Sequence, residues 1–237
     1  MKIQNNTTFQ GTKLKHQKLD HIVRNVNNEY PRISPYKIRM LYGNKPLSQN
    51  FFSWLGRIEN IVDDNRNKVH SQDYTRIIEN DLYNVKTSKL GDCGESSAIT
   101  IASLIANGIK NFKVGLLLFD VEIRKKGKKE IIAQRAYNTT HEMIVLNTDE
   151  MSLSSKTKSN EIVVMDTWLG FCGNLQKAID KFYEVFMHGT RNYTDSNDFE
   201  HQYHPRIELF DLKIDTTKDL SEAFAKKYPE LVIKSDK

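Results

Sequence analysis

The chain has 237 residues, 38% of them hydrophobic and 27% charged, with a formal net charge of +5. That length supports a full hydrophobic core without disulfide or metal staples, and two cysteines are too few for a secreted disulfide framework. No apolar run is long enough for a membrane-spanning helix, and the positive charge is interleaved with acids along the chain rather than gathered into a nucleic-acid-binding face.

Residues 1–18 are polar and basic, without apolar periodicity and without the apolar stretch of a secretory signal, and are expected as a flexible tail. The rest, residues 19–237, is expected as a single catalytic domain with a helical part at 19–86 and a core at 87–237. Helical spacing recurs over residues 19–28 and 50–62, where Phe51, Trp54, Leu55, Ile58, Ile61 and Val62 make a stripe expected to pack inward. A third helix is expected over 73–83, and a polar approach over 86–92 leads to Gly91-Asp92-Cys93-Gly94-Glu95. The helix that follows, 95–106, is small and apolar, and Asn107-Gly108 ends it.

Strands are expected over 112–123, 130–137, 141–147 and 161–166, separated by turn-forming segments. The basic run Arg124-Lys125-Lys126-Gly127-Lys128-Lys129 falls between two of them, so it reads as a solvated hairpin tip. Residues 149–160 read as a loop, 174–187 as a helix, 205–214 as a strand and 220–228 as a closing helix. Helices followed by an antiparallel sheet make an α+β pattern.

Three segments carry chemistry in one order along the chain. Cys93 stands at a Gly-flanked helix start, where unpaired N–H groups favour a thiolate and can face the oxygen of an attacked carbonyl. His141, in Thr140-His141-Glu142-Met143, is expected at the start of a strand as a base. Asp166 closes the apolar run Ile162-Val163-Val164-Met165, where its carboxylate could orient the imidazole, with Trp168 as a roof. Each residue alone has an ordinary structural explanation, and the conjunction is what points to acyl-transfer chemistry. Tyr83, Asn84 and Gln72 are candidates for the second oxyanion donor.

These motifs resemble the transglutaminase-like branch of the papain-like cysteine enzymes, which includes transglutaminases, peptide N-glycanases, proteases and bacterial toxin deamidases. The resemblance covers residues 86–173. It implies a nucleophile helix packed on an antiparallel sheet, preceded here by extra N-terminal helices, with Cys93 as nucleophile, His141 as base and Asp166 as its orienter. The Cys93-to-His141 segment is longer than the family core needs, which suggests an inserted hairpin around Gly127. No aromatic residue follows Cys93, where many transglutaminases carry Trp, and no Cys-x-x-Cys pair supplies the zinc site typical of peptide N-glycanases.

The resemblance implies a protein substrate and no cofactor or metal. Glutamine deamidation or proteolysis leads; transamidation on the same fold and a non-catalytic binding module are the alternatives. Cys172 reads as a buried free thiol, and His201 and His204, near Asp195 and Asp198, as surface residues rather than metal ligands. No phosphate-binding Gly loop occurs. Together with the polar N-terminus, these features lead to the expectation of a protein cytoplasmic in its producer and delivered into another cell as a bacterial effector.

Overall fold

The computed structural model describes residues 7–42, 48–67, 73–154, 156–157, 161–187, 191–195, 197–212 and 218–233. Among them are seven α-helices and seven strands in an α+β arrangement with an open antiparallel sheet. The chain forms two compact units, one of residues 1–111, 165–172 and 212–237, the other of 112–164 and 173–211.

The first unit is helical: α1 (Thr7–Glu29), α2 (Pro35–Tyr42), α3 (Gln49–Asn67), α4 (Tyr74–Ser88), α5 (Cys93–Ala106) and α7 (Lys218–Lys227). At its centre is α5, which α1, α4 and α7 pack against. Every residue from Glu95 to Ala106 is buried, so the helix has no solvated face, as its run of small and apolar side chains requires. Two of its buried hydroxyls are bonded to carbonyls: Thr100 donates to that of Ser96 at 2.7 Å, and Ser103 to that of Leu231 at 3.0 Å.

Two helices extend beyond their apolar periodicity. Helix α1 begins at Thr7 and so takes in residues 7–18, where the sequence has no apolar pattern; residues 1–6 of the expected tail lie outside the described residues. Helix α4 is capped by the Asp73 carboxylate, which accepts from the Thr75 N–H at 2.9 Å, and it continues past Tyr83 to Ser88. Lys89 ends it in the left-handed region, with φ 58°. In α3 the expected stripe divides: Leu55, Ile58 and Val62 are buried, while Trp54 and Ile61 are exposed.

The second unit carries the sheet, built on β1 (Phe112–Lys125), β2 (Ile131–Leu146), β3 (Ser152–Ser154), β6 (Asn192–Thr194) and β7 (Phe199–Phe210). The strand order is β3-β7-β1-β2-β4-β5, with β6 pairing β7. Val163 and Val164 of β4 (Val163–Asp166), and Gly173 and Asn174 of β5 (Phe171–Asn174), belong to this unit. Strand β1 is the centre, paired antiparallel with β2 on one side and β7 on the other. The β1–β2 hairpin turns at Gly127, φ 73°, as the basic run suggested. Where two strands were expected over 130–147 there is one long strand with a bulge. The loop at 149–160 contains β3, and its residues 155 and 158–160 lie outside the described residues. The strand expected at 205–214 runs from Phe199 to Phe210, and residues 213–214 lie outside the described residues.

Alternation along β1 sorts its side chains. Leu117, Phe119, Val121 and Ile123 are buried on one face. Asp120, Glu122 and Arg124 occupy the other, where Asp120 pairs with Arg206 and Glu122 with Arg124. The apolar face is covered by α6 (Leu175–Phe186), which buries Leu175, Ala178, Ile179, Phe182 and Tyr183 at helical spacing and is capped by Asn174. Phe119 and Tyr183 pack with their rings tilted by 57° and centroids 5.9 Å apart.

Strand β1 approaches its neighbours closely at one glycine. A Cβ at Gly115 would lie 2.7 Å from Ile207 Cγ2 and 3.2 Å from both Met143 Cγ and Val145 Cγ2. The Gly115→Ala variant is therefore expected to lose about 1–3 kcal/mol of stability through overpacking, read as a lower urea midpoint at unchanged slope. An unchanged midpoint would show that the sheet spreads there without cost.

Candidate functional site

Cys93 is the first residue of α5 and is part-buried. Asp92 and Glu95 form a capping box around it: the Asp92 side chain accepts from the Glu95 N–H, and Glu95 Oε2 accepts from the Asp92 N–H at 2.8 Å. The helix start is thus fixed on both sides of the sulfur. Gly91 fits just before it because any side chain there would meet Glu95 Cβ at 3.0 Å and Val85 Cγ2 at 3.1 Å.

A short parallel bridge delivers further polar side chains to this helix start. The Ile33 N–H donates to Lys89 O at 2.8 Å, and the Gly91 N–H to Ile33 O at 3.2 Å. This sets Arg32 and Ser34 on either side of Ile33. The Ser34 hydroxyl donates to Asp92 Oδ1 and accepts from Trp168 Nε1 at 2.8 Å and from the Lys37 N–H at 3.0 Å, so its donor and both lone pairs are engaged.

Arg32 makes four bonds. Nε donates to Ser96 Oγ at 2.7 Å, Nη1 to the Tyr30 carbonyl at 2.9 Å, and Nη2 to Asn27 Oδ1 at 3.2 Å and Thr167 Oγ1 at 3.3 Å. Burial lowers its pKa to about 10, against the opposing pull of the Asp166 and Glu95 charges.

Asp166 ends β4 and is buried. Its Oδ1 accepts from the Leu169 N–H at 2.9 Å, closing a turn that Gly170 completes at φ 67°. The next residue, Thr167, reaches α5: its hydroxyl donates to the Ser96 carbonyl at 3.0 Å and meets the Thr100 hydroxyl at 2.9 Å. The turn after Asp166 is therefore bonded to the helix that Cys93 opens, within one unit. The Trp168 indole N–H donates to Ser34, and Lys37 Nζ sits 5.3 Å from its ring centroid and donates to its carbonyl.

His141 belongs to the other unit and lies inside β2 rather than at a strand start. Its Cα partner is Leu117, whereas Leu118 pairs with Asn138, so Thr139 and Thr140 bulge out of the ladder. The Thr139 hydroxyl stands in for the missing strand contacts, donating to Leu117 O at 2.7 Å and accepting from the His141 N–H at 3.2 Å. The imidazole is buried on the face that α6 covers, with ring centroids 4.8 Å from Phe186 and 6.3 Å from Phe182.

Among the oxyanion candidates, Tyr83 is an exposed residue of α4 that lines a cavity with Arg76, Lys86 and Tyr228, Asn84 accepts through its carbonyl from Ser88, and Gln72 lies outside the described residues. Both cysteines are free thiols. Burial, with a smaller contribution from the Asp20 charge, pushes the Cys172 thiol up to about 12. His201 Nε2 lies 3.2 Å from Asp195 Oδ2, and His204 Nε2 lies 4.0 Å from Glu122 Oε2. Among the described residues no group of three or more His, Cys, Asp or Glu could hold a metal ion, and no helix is long and apolar enough to cross a membrane.

A cavity of about 350 Å³ adjoins the Arg32 cluster, lined by Asn27, Arg32, Ser34, Lys37, Trp168 and Gly170. A larger one, about 710 Å³, lies on the polar face of the sheet between Asp120, Arg135, Lys156 and Arg206, and none of Cys93, His141 or Asp166 lines it. No family model, curated protein or solved structure matches the chain.

The two thiols have different expected reactivities. With a pKa near 12 only about one Cys172 in 10⁵ is ionised at pH 7. Iodoacetamide is expected to label Cys93 first, by peptide mass mapping at neutral pH. Equal labelling of both thiols would contradict a specialised sulfur at the start of α5.

Proposed function

We propose that the chain is a cysteine-dependent amide-bond hydrolase or acyltransferase acting on a protein substrate, built on a transglutaminase-like, papain-like core. Cys93 is the nucleophile, His141 the base and Asp166 the group that orients the imidazole. The observation that carries this reading is the bonding of the turn after Asp166 to the first turns of the helix that Cys93 opens, through Thr167, Ser96 and Arg32. A buried carboxylate and a part-buried thiol are thereby fixed on one scaffold.

His141 takes the thiol proton, and the Cys93 sulfur attacks the carbonyl carbon of a carboxamide or peptide bond. The backbone N–H of Cys93, at the positive end of the α5 dipole, is suited to the developing oxyanion. The C–N bond then breaks, His141 returns the proton to the leaving ammonia or amine, and a thioester on Cys93 remains. Water attacking the thioester releases a carboxylate and restores the thiol, giving deamidation or proteolysis. A primary amine attacking instead gives transamidation.

Incubation with casein and a labelled primary amine, followed by intact mass measurement, separates these outcomes. A gain of about 1 Da means deamidation, incorporation of the label means transamidation, and fragments mean proteolysis. We favour hydrolysis, as a glutamine deamidase or protease. If the protein and its Cys93→Ser variant leave identical product masses for every substrate tried, the proposal fails. We further propose an effector role in a cell other than the producer's; unaltered host cells after its delivery would remove that part alone.

A further inference from the structure

Three acids stand at or beside the first turn of α5. Asp92 precedes Cys93, Glu95 follows two residues later, and buried Asp166 begins the turn bonded to the same helix. Like charges disfavour an ionised sulfur. Against these three acids, the polar cluster of this unit sets Arg32 and Lys37, and the two cations are not equivalent. Lys37 Nζ is directed to the Trp168 carbonyl. Arg32 Nε bonds Ser96, in the first turn of α5, and its Nη2 bonds Thr167, next to Asp166. Its charge is felt by both Asp166 and Glu95.

We propose that Arg32 is a positioning residue: its guanidinium ties the first turn of α5 to the turn after Asp166, and its charge offsets Glu95 and Asp166 so that Cys93 can ionise. This deepens the proposed function and rests on it for its biological meaning. The planar fork lets one side chain bond Ser96 on one side and Thr167 on the other. The burial that lowers the Arg32 pKa also means that the charge is kept at a cost, which a side chain present for packing alone would not carry.

The test reads the rate of Cys93 alkylation by iodoacetamide from pH 5 to 9, with Cys172 as an internal control and thermal unfolding as a check on folding. In Arg32→Gln, Cys93 alkylation at pH 6 is expected to slow about tenfold, and its rise with pH to move to higher pH. Arg32→Lys, which keeps the charge, is expected to stay within about threefold of the wild type. Glu95→Gln keeps the capping box, because glutamine can make the same bond, yet removes a negative charge. It is expected to speed Cys93 alkylation at pH 6 about threefold or more, and to shrink the effect of Arg32→Gln when the two are combined.

Wild-type Cys93 rates in Arg32→Gln overturn the proposal. So do equal losses in Arg32→Gln and Arg32→Lys accompanied by faster labelling of Cys172, since that pattern marks a strut and nothing more. Should Arg32→Gln fail to fold, Glu95→Gln decides alone, and an unchanged Cys93 rate there overturns the proposal. Because alkylation needs no substrate, the expected pattern in a chain that leaves all amide substrates intact supports the positioning role and sinks the enzymatic reading.

Discussion

Cys93→Ser is expected to abolish amide turnover, with a fall in rate of about 10⁴-fold or more, and to leave the fold intact. The size follows from losing the atom that forms the covalent intermediate, while binding and oxyanion contacts alone sustain only a residual rate. The fold should survive because Cys93 is part-buried and the helix start is held by the Asp92–Glu95 capping box rather than by the sulfur. Product mass spectra and an unfolding curve, taken on one preparation, check both halves. Retained turnover would remove Cys93 from the chemistry.

Asp166→Asn is expected to lower turnover about 10³–10⁴-fold, because an amide cannot hold and stabilise an imidazolium as a carboxylate does. Asparagine keeps an oxygen that can accept from the Leu169 N–H, so the turn has what it needs to close. The buried Arg32 guanidinium would lose its largest opposing charge while keeping its hydrogen bonds and the Glu95 charge, and a destabilisation of about 1–2 kcal/mol is expected. The two effects separate by measurement, since turnover below the unfolding temperature reads the first and a urea titration the second. Wild-type turnover with lowered stability would leave Asp166 a structural residue only.

Much of the fold could be read from local pattern. The spacing of Leu175, Ala178, Ile179, Phe182 and Tyr183 is that of a helix with one buried stripe, and α6 is that helix. Asn107-Gly108 ends α5, with Gly108 at φ 66°, and Gly127 turns the hairpin. These features depend on neighbours in sequence, which is why they were legible.

Other features depend on partners far along the chain. Residues 130–147 read as two strands because the polar segment Asn138-Thr139-Thr140 interrupts the apolar pattern, whereas a hydroxyl-bridged bulge carries the strand through. Trp54 fits a helical stripe as well as Leu55 does, and only the tertiary fold leaves it exposed. Within the candidate site, Cys93, Asp166 and His141 carry recognisable chemistry, but Arg32, Ser34 and Lys37 lie in a segment without strong periodicity. A signal did exist at Ser34-Pro35, a helix-capping hydroxyl followed by proline at the first helical position, and it marks the start of α2. Nothing local announces that the same hydroxyl also serves Asp92 and Trp168.

The proposed chemistry requires that one imidazole govern one sulfur. Its most direct test compares the rate of Cys93 alkylation by iodoacetamide at pH 6 in the wild type and in His141→Ala, with Cys172 labelling followed in the same samples. If His141 is the base for Cys93, the variant is expected to react about 10- to 100-fold more slowly at Cys93 and unchanged at Cys172. Equal Cys93 rates in the two proteins, both folded, would contradict the account.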